Sequence, residues 1–461
     1  MNRVSKRASA LLLLILLLGG GLGFFVFEYF TSAEIWIVSP GSPHIFNSSN
    51  IGCGVVTDRS GELLLDITAQ RAYSKDEAIR KATMHLLGDR QGSISAPAIA
   101  HYGKEMTGYD LVDGLYSYDG SAGEAILTVS AEVQKVALEA LGDRKGTVGV
   151  YNYRTGEILC VVTTPTYDPD NVPDIEGDDT GAYEGVYLNR FFQSAYIPGS
   201  IFKVVTTAAA LESVPNILDE KFTCTGLYEY GIDKVSCERA HGTLTLKQAL
   251  ASSCNCCFGQ IANLVGRENM QKYADQFMIT DPVKFDGITT ARGNFDMTDA
   301  ARVEIAWGGI GQYTDQINPC RYMVFMGAIG GGGKAANPYL VSEVYSEGEQ
   351  TYLAQTTYTE RILPEGTVNI LQDYMRNNVA AVYGDQHFTG LTVCAKSGTS
   401  QLGGDQISNA MFAGFVADEE YPLAFVVVVE NGGYGSSTCV PILSKVLAAC
   451  KTVMDDAHAV G

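Results

Sequence analysis

Twenty consecutive residues, Ala8 to Phe27, carry no charge, and Ser9 holds their only hydroxyl. A run of that length entering hydrocarbon must satisfy its backbone internally, which makes it a helix spanning the bilayer. Arg3, Lys6 and Arg7 precede the run and Glu28 follows it. The positive side stays inside, so residues 1–7 are expected as a cytoplasmic tail, 8–30 as a single-pass anchor, and the rest as extracytoplasmic. A cleaved leader ending near Thr31-Ser32-Ala33 would export the chain equally, but the apolar core of such leaders spans about 7 to 15 residues.

The exported part is long enough for two folded units. The chain has 461 residues, 46% of them apolar, ample for real cores. Residues 31–127 are expected to form a small domain, with a hairpin around Ser60-Gly61 and a helix over Lys75 to Leu87. Residues 128–461 form the larger one. There Ser130 caps a helix to Leu141, and Thr147 to Tyr153 pairs with Glu157 to Thr163 around Arg154-Thr155-Gly156. Ala410 to Val416 and Leu423 to Val429 are further apolar strands, and Pro441 to Val453 reads as a closing helix with proline in its first turn. Strands at both ends with helices between predict an α+β domain: one antiparallel sheet built from remote segments, with flanking helices and a helical subdomain inserted.

Charge and cysteine usage exclude several function classes. A net charge of -20 and no basic cluster argue against a nucleic-acid partner. The acidic run from Asp168 to Glu184 matches no calcium loop and is expected to be a solvated loop. Eleven cysteines cannot all pair, and Cys254, Cys256 and Cys257 crowd one helix turn, which suggests a reducing habitat more than a disulfide framework. Cys224 and Cys237, flanking the turn from Gly226 to Gly231, are the best candidate pair. No CxxC pairs occur at zinc-ligand spacing and no HExxH occurs, so no metal and no cofactor is expected.

Three short motifs carry chemistry. In Tyr196-Ile197-Pro198-Gly199-Ser200-Ile201-Phe202-Lys203, proline and glycine precede a helix-tolerant run, so a helix is expected to begin at or just before Ser200. Lys203 then lies one turn on, on the same face, within reach of the Ser200 proton, and a serine nucleophile needs such a base. The second motif, Ser253-Cys254-Asn255, sits at a tight turn between helices over Leu246 to Ala251 and Phe258 to Val265. Ser48-Ser49-Asn50 has the same form but lies in a polar loop. The third, Lys396-Ser397-Gly398-Thr399, ends the strand Leu391 to Ala395; it offers a cation and hydroxyls to a carboxylate, and Gly398 lets a ligand lie against the backbone.

Together and in this order, SxxK, SxN and K[ST]G resemble the signature set of the penicillin-interacting serine acyltransferases. The chain is similar in particular to the class B penicillin-binding proteins, membrane-anchored monofunctional peptidoglycan transpeptidases. Thr155-Gly156-Glu157-Ile158, Asn189-Arg190, His241-Gly242, Gly311-Gln312 and Glu430-Asn431-Gly432-Gly433 look like the usual neighbours of those motifs, over roughly Thr128 to the C-terminus. Ser397 stands where threonine is usual and keeps the hydroxyl. Ile201 replaces a common threonine, and Cys254 stands where class A β-lactamases carry aspartate.

The resemblance implies the penicillin-binding transpeptidase and serine β-lactamase fold for residues 128–461, with 31–127 as a short pedestal or dimerisation-like domain. It implies that Ser200 attacks the D-Ala-D-Ala end of a stem peptide, that Lys203 is its base, and that Ser253 relays a proton. Asn255, Lys396, Ser397, Gly398 and Thr399 would bind substrate, and the backbone amides of Ser200 and Thr399 would form the oxyanion hole. β-Lactam antibiotics would acylate Ser200. A membrane glycosyltransferase is the implied partner, because 31–127 is too short for a polymerase domain. A β-lactam sensor or β-lactamase shares these motifs, and a non-catalytic scaffold of the division or elongation machinery is a further alternative.

Overall fold

The structure, a computed structural model, describes residues 2–37, 54–67, 72–107, 123–231, 233–346, 348–401 and 407–460. The decoy Ser48-Ser49-Asn50 lies outside them. The first helix, Asn2–Ile37, contains the charge-free run. Its stretch Val4–Ser32 has a mean hydropathy of 2.6, none of it is buried against the rest of the chain, and it is long and apolar enough to cross a membrane.

Strands β1 (Val55–Thr57), β2 (Leu63–Asp66), β3 (Ala72–Tyr73) and β4 (Glu124–Leu127) begin a small sheet. β1 and β2 form the expected hairpin, while β4 runs parallel to β1. The helix that follows spans Glu77–Leu87, with Asp76 accepting from the amides of Ala78 and Ile79.

The catalytic-size domain is built on β5 (Gly146–Asn152) and β6 (Ile158–Thr164). Their turn closes because Asn152 Oδ1 accepts from the amides of Arg154 and Thr155 and Gly156 takes φ +94°, a conformation side chains resist. A helical subdomain comes next, carrying β7 (Phe222–Cys224), β8 (Leu227–Tyr230), β9 (Asp233–Ser236), β10 (Gly242–Leu244), β11 (Lys284–Phe285) and β12 (Ile288–Thr289) as short ribbons. β13 (Val341–Ser346) and β14 (Glu349–Leu353) then return to the small sheet, giving the order β14-β13-β4-β1-β2-β3. Finally β15 (Val393–Ser400), β16 (Asn409–Val416) and β17 (Leu423–Val429) complete the main sheet in the order β15-β16-β17-β5-β6, all antiparallel.

The main sheet is apolar on both faces, and its alternation divides two cores. Leu423, Phe425, Val427 and Val429 of β17 join Phe412 of β16 and Val148 and Val150 of β5 in one. Ala424, Val426 and Val428 join Met411, Phe415 and Tyr151 in the other. The first core is covered by the helices Ala131–Leu141 and Gly435–Val460, the second by Pro319–Gly330 and the helical subdomain. A period of two with both sides covered produces near-continuous hydrophobic strands. The closing helix starts earlier than its proline suggested, at Gly435, and Pro441 lies inside it. That helix is long and apolar enough to cross a membrane, but Val440, Leu443, Val446 and Leu447 are buried against the sheet.

The acidic stretch is not purely solvated. Asp168 accepts two hydrogen bonds from Arg80, Nε at 2.8 Å and a terminal nitrogen at 2.7 Å. That bidentate pair, with both side chains largely covered, docks the loop on the helix Glu77–Leu87.

Candidate active site

Ser200 sits in a single 3₁₀ turn, Gly199–Phe202, and the α-helix proper, Lys203–Ser213, starts at the lysine. Gly199 has φ +53°; a Cβ there would lie 2.6 Å from the Thr399 carbonyl oxygen, so this turn packs directly on β15. The third motif lies within β15 rather than beyond its end. Because β15 is the edge of the main sheet, one row of its backbone groups faces away from β16 and toward the serine turn.

The second motif joins the helices Leu246–Ala251 and Asn255–Val265. Ser253 adopts φ +51°, uncommon for a residue with a side chain. That geometry turns both its hydroxyl and its carbonyl toward Lys203.

Side chains of the first two motifs converge on Lys203 Nζ. It lies 2.9 Å from Ser200 Oγ, 3.2 Å from Ser253 Oγ, 2.7 Å from the Ser253 carbonyl and 2.6 Å from Asn255 Oδ1. On the other side of Ser253, Lys396 Nζ donates to its Oγ at 3.0 Å and to the Ser397 carbonyl at 2.7 Å. Both lysines are 0% exposed. Burial, and then the charge of Lys396, push Lys203 well below the usual lysine range, and burial brings Lys396 down to about 7. Desolvation disfavours the charged amine, and a neighbouring cation adds to it.

An ammonium can only donate, whereas a neutral amine keeps a lone pair. With its two shortest bonds given to the Ser253 carbonyl and Asn255, a neutral Lys203 has that lone pair left for the Ser200 proton. The arrangement suits general-base activation of a serine.

A cleft of about 1070 Å3 opens over these groups, lined by Ser200, Ser253, Asn255, Ser397 and Thr399 and by the exposed Trp307 and Tyr434. The eight residues singled out from the sequence are brought together, but two face differently from expectation. Gly398 is enclosed by protein: a Cβ there would lie 2.9 Å from the Pro198 carbonyl, and one on Gly435 would lie 2.2 Å from the Gly398 carbonyl. Its missing side chain admits the turn that carries Ser200 rather than a ligand. Asn255 uses both ends of its amide on the protein, accepting from Lys203 and donating to the Ser236 carbonyl at 3.0 Å.

Tyr383 was not legible in the sequence. It ends a wide π-type turn, Val379–Tyr383, where its hydroxyl accepts from the Ser397 amide at 2.9 Å and meets Ser397 Oγ at 3.0 Å. No local pattern marks it. The flanking residues Arg190, Tyr196 and Glu430 also meet: Glu430 Oε1 accepts from Arg190 Nε and from the Tyr196 hydroxyl, each at 2.9 Å.

The cysteine expectations are corrected. Cys224 and Cys237 are both free thiols. Spacing along the chain argued against a metal-ligating set, yet folding gathers Cys224, Cys237, His241 and Cys254 so that their ligand atoms all lie within 4.8 Å of one another. Two ribbons and a helix start converge there, which spacing alone does not reveal.

A serine bonded to a buried amine, with a second serine shared between two lysines at the edge of a five-stranded antiparallel sheet, defines the penicillin-interacting class of serine enzymes. The description "Penicillin binding protein transpeptidase domain" matches residues 146–448, more than half of the chain, and the protein belongs to that family. Its relatives place it with the class B members. It is 27% identical over 383 residues to the peptidoglycan D,D-transpeptidase PbpA of Mycolicibacterium smegmatis, covering 75% of this chain and 76% of that one. It is 26% identical over 344 residues to stage V sporulation protein D of Bacillus subtilis, covering 70% of this chain and 52% of the relative. Among solved structures, penicillin-binding protein A from M. tuberculosis, as its ceftriaxone acyl-enzyme, superposes with a TM-score of 0.76 at 21% identity, covering 88% of this chain and 99% of that one.

Proposed function

We propose that this protein is a membrane-anchored D,D-transpeptidase that crosslinks peptidoglycan stem peptides through an acyl-enzyme on Ser200. The observation that carries the reading is the buried Lys203 amine, held at once by Ser200, Ser253 and Asn255. Ser200 Oγ attacks the penultimate D-Ala carbonyl while Lys203 takes its proton. Ser253, bonded to both lysines, passes a proton to the nitrogen of the departing D-alanine as the peptide bond breaks. The amine of a neighbouring stem peptide then attacks the ester, forms the crosslink and releases Ser200. Lys396, Ser397 and Thr399 hold the terminal carboxylate, and the amides of Ser200 and Thr399 receive the oxyanion, where one donor is worth about 3 kcal/mol. Gly398 lets the serine turn seat on β15, and Asn255 orients Lys203.

The apolar first helix, with basic residues before it, supports a cytoplasmic N-terminus and an extracytoplasmic catalytic domain. Residues 31–127 serve as a pedestal, and a membrane glycosyltransferase supplies the glycan strands. β-Lactams enter the same cleft as substrate mimics. The test is covalent labelling of the detergent-solubilised full chain by benzylpenicillin, followed by intact mass. A stable adduct on Ser200, absent in Ser200→Ala, is the expected result. An adduct that disappears within seconds identifies a β-lactamase, and labelling that persists in Ser200→Ala overturns the assignment.

A further inference from the structure

Tyr383 reaches the cleft from outside the three motifs, and among the described residues its hydroxyl makes two contacts, both to Ser397. The Ser397 amide donates to it at 2.9 Å, and Ser397 Oγ lies 3.0 Å away. An amide nitrogen can only donate, so the first contact occupies a lone pair of the phenol oxygen and leaves its proton free. Ser397 Oγ is the acceptor within reach of that proton. Were Ser397 to donate instead, the phenol proton of a side chain only 7% exposed would go unpaired, at a cost comparable to a lost hydrogen bond. Tyr383 therefore donates and Ser397 Oγ accepts. Burial raises the phenol's pKa, so the proton stays in place at neutral pH. The oxygen is also well fixed. Gly384, with φ +90°, closes the π-type turn through its amide on the Val379 carbonyl. The Tyr383 ring meets Phe412 edge-on, centroids 5.1 Å apart, and Phe412 is the β16 residue paired with Ser397. The seat of the ring and the target of its hydroxyl thus belong to one cross-strand pair.

What remains to Ser397 is its own hydroxyl proton. The backbone carbonyl of Ser397 already accepts from Lys396 Nζ at 2.7 Å, while the side chain is half-buried and lines the cleft. Two residues on, on the same face of β15, the Thr399 hydroxyl accepts from the Gly435 amide at 3.3 Å. The protein thus uses both hydroxyls as acceptors and leaves each a proton for the cleft. We propose that Tyr383 is a positioning residue that holds Ser397 as a hydrogen-bond donor and so gives the cleft its preference for an anionic terminus over a neutral one. An unheld serine hydroxyl rotates and presents a lone pair as readily as a proton. A carboxylate can only accept, and a hydrogen bond to an ionised group is roughly twice as strong as one between neutral groups. An aligned donor therefore favours an acid over its ester. The inference rests on the acyl-enzyme reading of Ser200, because acylation is what reports an occupied cleft.

Benzylpenicillin and its methyl ester differ at that terminus alone. Detergent-solubilised full chain is acylated with each, and the second-order rates are followed by intact mass for wild type, Tyr383→Phe, Ser397→Ala and the double variant. Phenylalanine keeps the ring against Phe412, and a thermal melt checks that each variant is folded. The ratio of acid rate to ester rate is expected to fall about 10-fold in Tyr383→Phe and about as far in Ser397→Ala, the size of one hydrogen bond to a charged group. In the double variant the ratio should fall no further than in Ser397→Ala, because a hydroxyl that acts only through Ser397 has nothing left to act on. An unchanged ratio in Tyr383→Phe overturns the positioning role. So does a loss that slows acid and ester equally, or one that adds in full to Ser397→Ala, since either marks a general loosening of the site. Wild-type protein that benzylpenicillin never acylates overturns the acyl-enzyme reading instead, a failure visible before any variant is made.

Discussion

Two lysines share one hydroxyl, Ser253 Oγ, at 3.2 and 3.0 Å, and the proposed acylation needs them in opposite states. Lys203 must be neutral to take a proton, and Lys396 must be charged to hold a carboxylate. The lowering of Lys203 by burial and by Lys396 makes it the first to deprotonate as pH rises. kcat/KM for acylation should therefore rise with pH on an acid limb set by Lys203 and fall on an alkaline limb near pH 7, where the free enzyme's Lys396 loses its proton. The two apparent values belong to the pair. Lys396→Arg keeps a charge at all working pH, so its alkaline limb should vanish while the acid limb remains; an unchanged alkaline limb would assign it elsewhere. Asp315 offers a test of stability. It is fully buried, both carboxylate oxygens lack a partner among the described residues, and burial pushes its pKa well above the usual range. The unfolded chain ionises this group above about pH 4 while the folded one does not, so stability is lost as pH rises from there toward the folded value. Asp315→Asn should raise Tm by more at pH 8 than at pH 5, because the cost of keeping the buried acid protonated grows as pH rises. Equal gains at both pH values would show that ionisation is not the cause.

The elements that carry the motifs were legible, and what lies between them was not. Ser130 as an N-cap, the strand Leu423–Val429 and the helix Leu246–Ala251 fall where capping and periodicity put them. Local chemistry decides such features within a few residues. The 3₁₀ geometry around Ser200, the π-type turn that delivers Tyr383 and the meeting of four metal-ligand groups depend on how distant segments pack, and no window of sequence contains that. Gly311 shows the difference. In the sequence it is half of a Gly-Gln pair; in the structure its φ is +77°, its carbonyl accepts from the Gly199 amide at 2.9 Å, and a Cβ on it would lie 2.2 Å from the Gly199 carbonyl. The serine turn is thus pressed between Gly311 on one side and β15 on the other. Gly311→Ala should cost about 2 to 4 kcal/mol, combining overpacking with a disfavoured backbone, and should slow acylation in whatever folds, because the turn can relieve the clash only by moving Ser200. A Gly311→Ala protein with normal Tm and labelling would show that the turn has slack.

At the scale of the molecule, the small N-terminal sheet is finished by strands that lie beyond Ser200 and Ser253 in the chain. β4 pairs with β13 through Val341↔Leu127 and Val344↔Ala125, and Asp286 of the β11–β12 turn accepts from the Tyr102 hydroxyl at 3.0 Å and from the Val341 amide at 3.1 Å. The first helix makes no such investment: its hydrophobic stretch is wholly exposed. Two truncations should therefore behave in opposite ways. Removal of residues 1–37 takes away an element whose hydrophobic stretch is not buried against the rest of the chain, and the remaining chain should stay soluble, melt as the full chain does and be labelled by penicillin. Removal of residues 1–127 strips β1 to β4 from β13, leaving an unpaired edge and uncovering the buried Val341 and Val344. An exposed apolar edge invites pairing with other chains, so this fragment should aggregate, or melt roughly 5 °C or more lower, the shift of about 2 kcal/mol in a domain of this size. Light scattering and a thermal melt on both fragments decide it. If the shorter one melts as the longer does, the small sheet is a detachable stand, and the catalytic domain's stability ends at residue 128.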